Sequence, residues 1–363
     1  MNDGAHIKPL TALRFFAAYW VVLFHFWPKL AGGGEPMFVE KGYLGVELFF
    51  VLSGFILCHV YRTELEEGRY RYGRFLWARL ARVYPLHLAT LLAMGALAIG
   101  AGLAGFAVDP HILSWEALPA NLTLTHAWGL APVAGWNHPS WSISAEWFAY
   151  LTFPLFAWTA LALKQRPLLW VGLALAMLVG LYTGFEAAAG FPLTRATFNW
   201  GALRIVPCFA LGCALHNLWR ERPIGDLRLA LGGAAAALAA AVGAASLGAH
   251  DSLIVALLGL LIYLLAAAAQ AGSKQFDHPL LVYGGEISYS VYMICIPWQI
   301  VFVNSAARLL EIKGEQLPFT VWIAGVLTII PLAALSYHLI ERPARARMKS
   351  LGDAWEARRL SAA

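Results

Sequence analysis

Charge is scarce in this sequence. Asp, Glu, Lys and Arg make up 13% of its 363 residues, against 60% hydrophobic residues. A soluble domain carries about 25% charged residues, so an ordinary soluble fold and a disordered chain are both excluded. Cysteine is scarce too. Cys58, Cys208, Cys213 and Cys295 all fall within apolar stretches and show neither metal-ligand spacing nor a disulfide framework. No metal is expected. A cleavable leader is not evident, because the first apolar stretch carries Arg14 and no small-residue cleavage site follows it. One long segment, 105–140, lacks Lys and Arg altogether.

What the sequence does have is apolar runs of about 20 residues, the length that crosses a hydrocarbon core of about 30 Å. They predict an all-α polytopic membrane protein with about ten transmembrane helices. The expected spans are 10–28, 43–61, 83–104, 141–163, 168–185, 201–219, 229–247, 253–271, 285–304 and 319–340. Ten crossings put both termini on one side, and the basic residues say which. Lys29, Lys41, Arg195, Arg308 and Lys313 fall on the side opposite the termini, Arg14 and Arg204 lie within spans, and the rest flank the termini's side. That bias makes both termini cytoplasmic. It also accounts for the net charge of +5 without a nucleic-acid partner. The residues divide into a membrane domain, 1–345, and a basic cytoplasmic tail, 346–363. The run 232–241 is rich in Ala and Gly, a small-residue face suited to close helix packing.

Polar residues inside the spans carry the functional signal, since each ionisable group at mid-membrane costs about 2.5–3.5 kcal/mol on insertion scales. Arg14 and His25 are eleven positions apart on the first helix. They share a face and stand about 16 Å apart along its axis. Ala18 lies on roughly the same face. Snorkelling of Arg14 to the headgroups is the structural alternative. Counting inward from the outer surface, His25, Glu47, Glu146 and Arg204 come from four helices at similar depth. They read either as an acid–base cluster or as a polar clamp between helices. On the cytoplasmic side Arg79 and Arg82 share a helix face, and guanidinium groups suit phosphate; they equally serve as topology signals. The 105–140 loop carries His111, His126, His138, Trp115, Trp128 and Trp136. Its aromatics suit an extracytoplasmic contact surface or an interfacial belt. A phosphate-bearing donor from inside could thus meet an acceptor outside. A proton-coupled carrier or channel for a small anion uses similar residues and is the alternative of another class.

Six segments in this order resemble the membrane acyltransferase 3 family. They are Arg14 with His25, Gly45-Val-Glu-Leu-Phe-Phe-Val-Leu-Ser-Gly54, Arg79-Leu-Ala-Arg82-Val-Tyr-Pro85, Trp141-Ser-Ile-Ser-Ala-Glu146, Ile287-Ser-Tyr-Ser-Val-Tyr292 and Ile340-Glu-Arg-Pro343. The match spans about residues 8 to 345. The resemblance implies a bacterial inner-membrane O-acyltransferase, an O-acetyltransferase in the simplest case. It would use acetyl-CoA or another acyl-CoA from the cytoplasm and an extracytoplasmic or lipid-linked glycan such as exopolysaccharide or O-antigen. Arg79 and Arg82 would hold the donor phosphates, with Arg14 lining the route upward. His25 would be the general base, Glu146 or Glu47 its partner, with Glu146 preferred, and Arg204 a polarising group for the carbonyl. The ninth helix departs from the family pattern. A histidine often follows Ser-Tyr-Ser there, and this chain reads Met293-Ile-Cys295-Ile-Pro297.

Overall fold

The computed structural model describes residues 6–105, 110–312, 314 and 316–361. Lys313 and the side chains of His111 and Arg359, used above, lie outside the described residues. The helices are α1 (Lys8–Phe26), α2 (Met37–Glu40), α3 (Gly45–Glu66), α4 (Tyr72–Leu103), α5 (Leu118–Leu122), α6 (Trp141–Leu151), α7 (Phe153–Ala162), α8 (Pro167–Ala189), α9 (Gly201–Glu221), α10 (Leu227–Ser246), α11 (Asp251–Gln270), α12 (Pro279–Leu309), α13 (Phe319–Ser336) and α14 (Arg342–Ser361). A π-turn, Tyr337–Glu341, joins the last two. Among the described residues there is no strand, only an isolated bridge between Leu30 and Leu317.

Nine helical stretches among the described residues are long and apolar enough to cross a membrane. The expected span 141–163 is not one of them. It is broken at Thr152 into α6 and α7, with Pro154 in the first turn of the second half. Proline cannot continue the ladder of a preceding helix, which explains the break. The third expected span also changes. α4 starts at Tyr72 rather than 83, so the helix that carries Arg79 and Arg82 begins earlier and the basic loop is shorter than expected.

Two pairs of parallel helices organise the bundle. α1 and α12 keep a constant offset of 274 positions: Gly285 sits against the Thr11 carbonyl, and the Gln299 amide donates to the His25 carbonyl. α3 and α9 keep an offset near 157: Glu47 meets Arg204, Gly54 meets the Phe209 carbonyl, and Gly212 meets the Val51 carbonyl. Each pair approaches so closely that a Cβ at Gly54, Gly212 or Gly285 would collide with backbone. Small residues allow this intimacy, which dispersion rewards in a lipid setting. Parallel α3 and α9 also settle the topology. Between them the chain makes α4 and α8, so one further crossing is required, and broken α6–α7 supplies it. Its contacts agree: Trp141 lies by Gly201, Phe156 stacks near Phe209 at 4.9 Å, and the Asn217 amide donates to the Ala160 carbonyl at 2.6 Å. The chain is therefore an all-α, multi-pass membrane protein, with nine stretches long enough to cross and the broken α6–α7 pair beside them among the described residues.

α13 covers the α1–α12 seam, and α10 packs its alanines Ala230, Ala234, Ala237, Ala241 and Ala245 on α11. On the cytoplasmic side α14 runs back along the start of α4. Trp77 donates to the Met348 carbonyl at 2.7 Å, and Arg71 pairs with Glu356.

The α3–α9 contact is testable. Gly54→Leu should destabilise the protein by about 1–3 kcal/mol or more, since backbone on the facing helix cannot yield. Gly172→Leu, whose Cβ would meet open space, should be tolerated. Thermal unfolding in detergent compares them; equal midpoints would refute the close register of α3 and α9.

Candidate functional site

Glu47 and Arg204 meet as expected, but as a clamp. Arg204 Nε and Nη2 engage the two Glu47 oxygens, the second at 2.9 Å, and Arg204 Nη1 donates to the Ala196 carbonyl at 2.8 Å. The guanidinium carbon lies 4.5 Å from the Trp141 ring. Glu47 and Arg204 are 0% and 2% exposed. A fork-to-carboxylate pair of this kind spends the donors that matter, and burial denies a substrate access. A polarising role for Arg204 and an imidazole-partner role for Glu47 would each require this pair to open.

Glu146 is also elsewhere than expected. Its Oε1 accepts from the Ser53 hydroxyl at 2.8 Å, and Tyr150 is an electrostatic neighbour. Its electrostatic partners are Arg14 and Arg82. No interaction among the described residues links His25 to either carboxylate. The depth count grouped Glu146 with His25, whereas its contacts are with Ser53 on α3 and its charge acts on Arg14 and Arg82.

The inner site is richer than expected. Arg14 stands over the Phe49 ring at 5.9 Å. Arg82 pairs with Glu341 and lies 5.6 Å from the Tyr289 ring. Glu341, 1% exposed, also accepts from Ser290 at 2.9 Å. Arg79 rests over Tyr61 at 5.7 Å, and its buried Nε–H has no acceptor. Arg345 joins from α14, within electrostatic range of Arg79 and Arg82. Thus four guanidinium groups from α1, α4 and α14 converge, and the carboxylates acting on them most are Glu341 and Glu146. The cluster keeps an excess of positive charge, the condition for anion binding. Sequence reasoning missed Arg345 and gave Glu341 no role, although Glu341 stands within the quoted Ile340-Glu-Arg-Pro343 motif.

His25 sits near the outer end of α1. Its ring makes no hydrogen bond among the described residues, and the titratable group acting on it is His138. His138 belongs to the 105–140 loop, which does not merely cap the bundle. Asn137 donates to the Met293 carbonyl at 3.1 Å and Tyr292 donates to the Pro139 carbonyl at 2.8 Å, pinning the loop to the middle of α12. Deeper in the loop His126 stacks on His87 at 5.8 Å and shares a hydrogen bond of 3.1 Å with Ser140. Burial, reinforced by His87, pushes the His126 imidazole down to about 3, so it stays neutral. Ala18, expected beside the Arg14–His25 route, is instead fully buried in the seam with α12 and α13. The aromatic beside Arg14 is Phe49, which reaches Tyr292 at 6.4 Å. Two clefts lie away from this line. One of about 360 Å³ is lined by Lys8, His59 and Trp219, the other of about 300 Å³ by Tyr43, Tyr182 and Arg195.

Comparison with known proteins now has a geometry to attach to. Residues 8–338 match the model of a family described as an acyltransferase domain. The chain is 32% identical over 211 residues to the acyltransferase MdmB of Streptomyces mycarofaciens, covering 53% of this chain and 52% of that protein. It is 24% identical over 377 residues to the O-acetyltransferase OatA of Staphylococcus aureus, covering 95% of this chain and 58% of that protein. It is also 36% identical over 152 residues to protein 2 in the picA locus of Rhizobium radiobacter, 38% of this chain and 75% of that one. The chain thus spans little more than half the length of MdmB and OatA. No solved structure matches it.

If Glu47–Arg204 is a clamp, breaking one side should unfold rather than merely inactivate. Glu47→Ala should cost about 3–5 kcal/mol, because an unpaired buried guanidinium remains, and joint replacement with Glu47→Leu and Arg204→Met should recover much of it. A Glu47→Ala protein with unchanged thermal stability would restore the pair to the list of reactive groups.

Proposed function

The chain belongs to the acyltransferase 3 family, and from that premise we propose that it moves an acyl group from cytoplasmic acyl-CoA, acetyl-CoA in the simplest case, to a hydroxyl group on the far side of a bacterial inner membrane. The acceptor is an extracytoplasmic or lipid-linked glycan. The observation that carries this reading is the arrangement along α1. An arginine cluster with a guanidinium donor left over lies below, and a histidine with no carboxylate on it lies about 16 Å above.

Arg79, Arg82 and Arg345 hold the donor's phosphates at the inner face. Multiple charge-assisted hydrogen bonds from planar forks suit phosphate oxygens. Arg14 marks the start of the path into the bundle, and Phe49 stands beside it. The flexible arm of the donor threads this path while its charged nucleotide stays below, since burying the nucleotide phosphates without compensating partners would cost far more. At the top His25, as a neutral imidazole, takes the proton of the attacking hydroxyl, the task for which an imidazole is suited near neutral pH. Glu146 serves the inner half: held by Ser53, its charge acts on Arg14 at the start of the path. The similarity to an O-acetyltransferase, OatA, supports a hydroxyl acceptor and an acetyl group.

Three outcomes are expected. His25→Ala should lose about 10²–10⁴-fold in transfer while the protein still accumulates in the membrane; ester-bound acetate on envelope glycan reads this, and near-normal acetylation would remove His25 from the mechanism. Arg79→Ala and Arg82→Ala should raise the KM for acetyl-CoA, with only partial rescue by Lys. Unchanged donor affinity in both would leave these arginines as topology signals. In sealed inside-out vesicles, labelled acetyl-CoA added outside should yield labelled glycan in the lumen; product formed only on the side of addition would defeat the trans-membrane reading.

A further inference from the structure

Acyl transfer needs a hydrogen-bond donor facing the oxygen that becomes negative when the hydroxyl adds to the thioester carbonyl. Arg204 cannot fill that role, because Glu47 and the Ala196 carbonyl occupy it. Arg14 lies about 16 Å below His25. Some other group must stand between them.

The 137–140 turn brings one. The residues flanking His138 are tied to neighbouring positions of α12: Asn137 to the Met293 carbonyl and Pro139 to the Tyr292 hydroxyl. The Ser140 hydroxyl donates back to the Asn137 carbonyl at 2.7 Å, closing the turn. With an offset of 274 between α1 and α12, Arg14 lies level with position 288 and His25 with 299. The loop is therefore anchored about 8 Å above Arg14 and about 9 Å below His25. Asn137, Pro139 and Ser140 are buried, and His138 alone of the turn keeps an exposed side chain. The His138 imidazole is thus the one side chain of the turn not enclosed by the bundle, and it acts electrostatically on His25. Surrounding protein still pushes its pKa below the usual value, so the ring is neutral and retains one N–H donor. The titratable groups around it are His25 from α1 and His126 from the loop, and both are imidazoles.

We propose that His138 is a second catalytic residue of the transfer, whose imidazole N–H holds the oxyanion beside the base His25. This rests on the reading of His25 as base. The acceptor oxygen forms a bond to the carbonyl carbon, and the carbonyl electron pair moves onto its oxygen, where His138 donates to it. His25 takes the hydroxyl proton. When the pair returns, the carbon–sulfur bond breaks and the thiolate recovers that proton from His25, leaving ester and free CoA. A neutral imidazole can act as such an electrophile.

The test uses the full chain in inside-out vesicles of its own host, with acetyl-CoA as donor and envelope glycan as acceptor. His138→Ala should lower kcat by about 10²–10³-fold and leave the KM for acetyl-CoA within twofold. His138→Gln, which keeps an N–H donor, should restore a substantial part. Size-exclusion profile and thermal unfolding establish that each variant is folded. Wild-type kcat in His138→Ala, beside an inactive His25→Ala, overturns the role of His138 and leaves the base standing. Equal inactivity of folded Ala and Gln variants overturns the oxyanion contact. Activity in His25→Ala brings down the base and this inference together.

Discussion

The ion pair of Glu47 and Arg204 holds together more of the bundle than its two helices. In hydrocarbon neither charge can exist alone, and the two sit on parallel helices, so the pair fixes α3 against α9 in one register. The same guanidinium takes the Ala196 carbonyl from the segment before α9 and the face of Trp141 at the start of α6. Trp141 is where the descending loop becomes helix. The pair therefore sets the position from which α6 runs inward with Glu146, and just before which the turn carrying His138 lies. A slip of one residue between α3 and α9 would separate the charges and turn Gly54 and Gly212 out of their contact.

Functional groups sort by how completely they are satisfied. Glu47, Arg204 and Glu341 are buried and multiply bonded, and they position neighbours. Arg79, His25 and His138 are the groups with capacity to spare, and they line up from the cytoplasmic side to the outer side of the bundle. A membrane interior sharpens this contrast, because an unsatisfied polar group has no water to fall back on unless a cavity or a ligand reaches it. The six motif segments read from the sequence contribute to both kinds of group. This explains why motif residues alone did not separate the scaffold from the chemistry.

Much of the fold was legible in the sequence. Hydropathy located nine of the ten expected spans as long apolar helices among the described residues. The break at Thr152 was foreshadowed only by Pro154, which a hydropathy window averages away. The cytoplasmic extension of α4 was hidden because its first turns carry Arg71, Arg74 and Arg79, and amphipathic helix outside hydrocarbon resembles a basic loop. Site residues were legible by type and not by partnership. Depth counting grouped Glu146 with His25, because a count along each helix says nothing of which neighbour a side chain meets. The burial of the 137–140 turn depends on Met293, some 156 positions away, and no local pattern announces such a contact. Ala18 was misassigned because a helical wheel gives a face but not what packs on it.

The parallel seams have a consequence for biogenesis. α1 finds its mate α12 only 274 positions later, and Glu341, which acts on Arg14, comes later still. At a synthesis rate of about 5–20 residues per second, α1 waits roughly 14–55 s for α12. During that interval an arginine-bearing helix with Gly-fitting surfaces stands in or beside the insertion machinery with its seam uncovered. Long-range pairing of this sort delays closure of the bundle until nearly the whole chain has been made. Until then α1 has its contacts with Gly42 and Gly45, and truncation before α12 leaves its other seam uncovered.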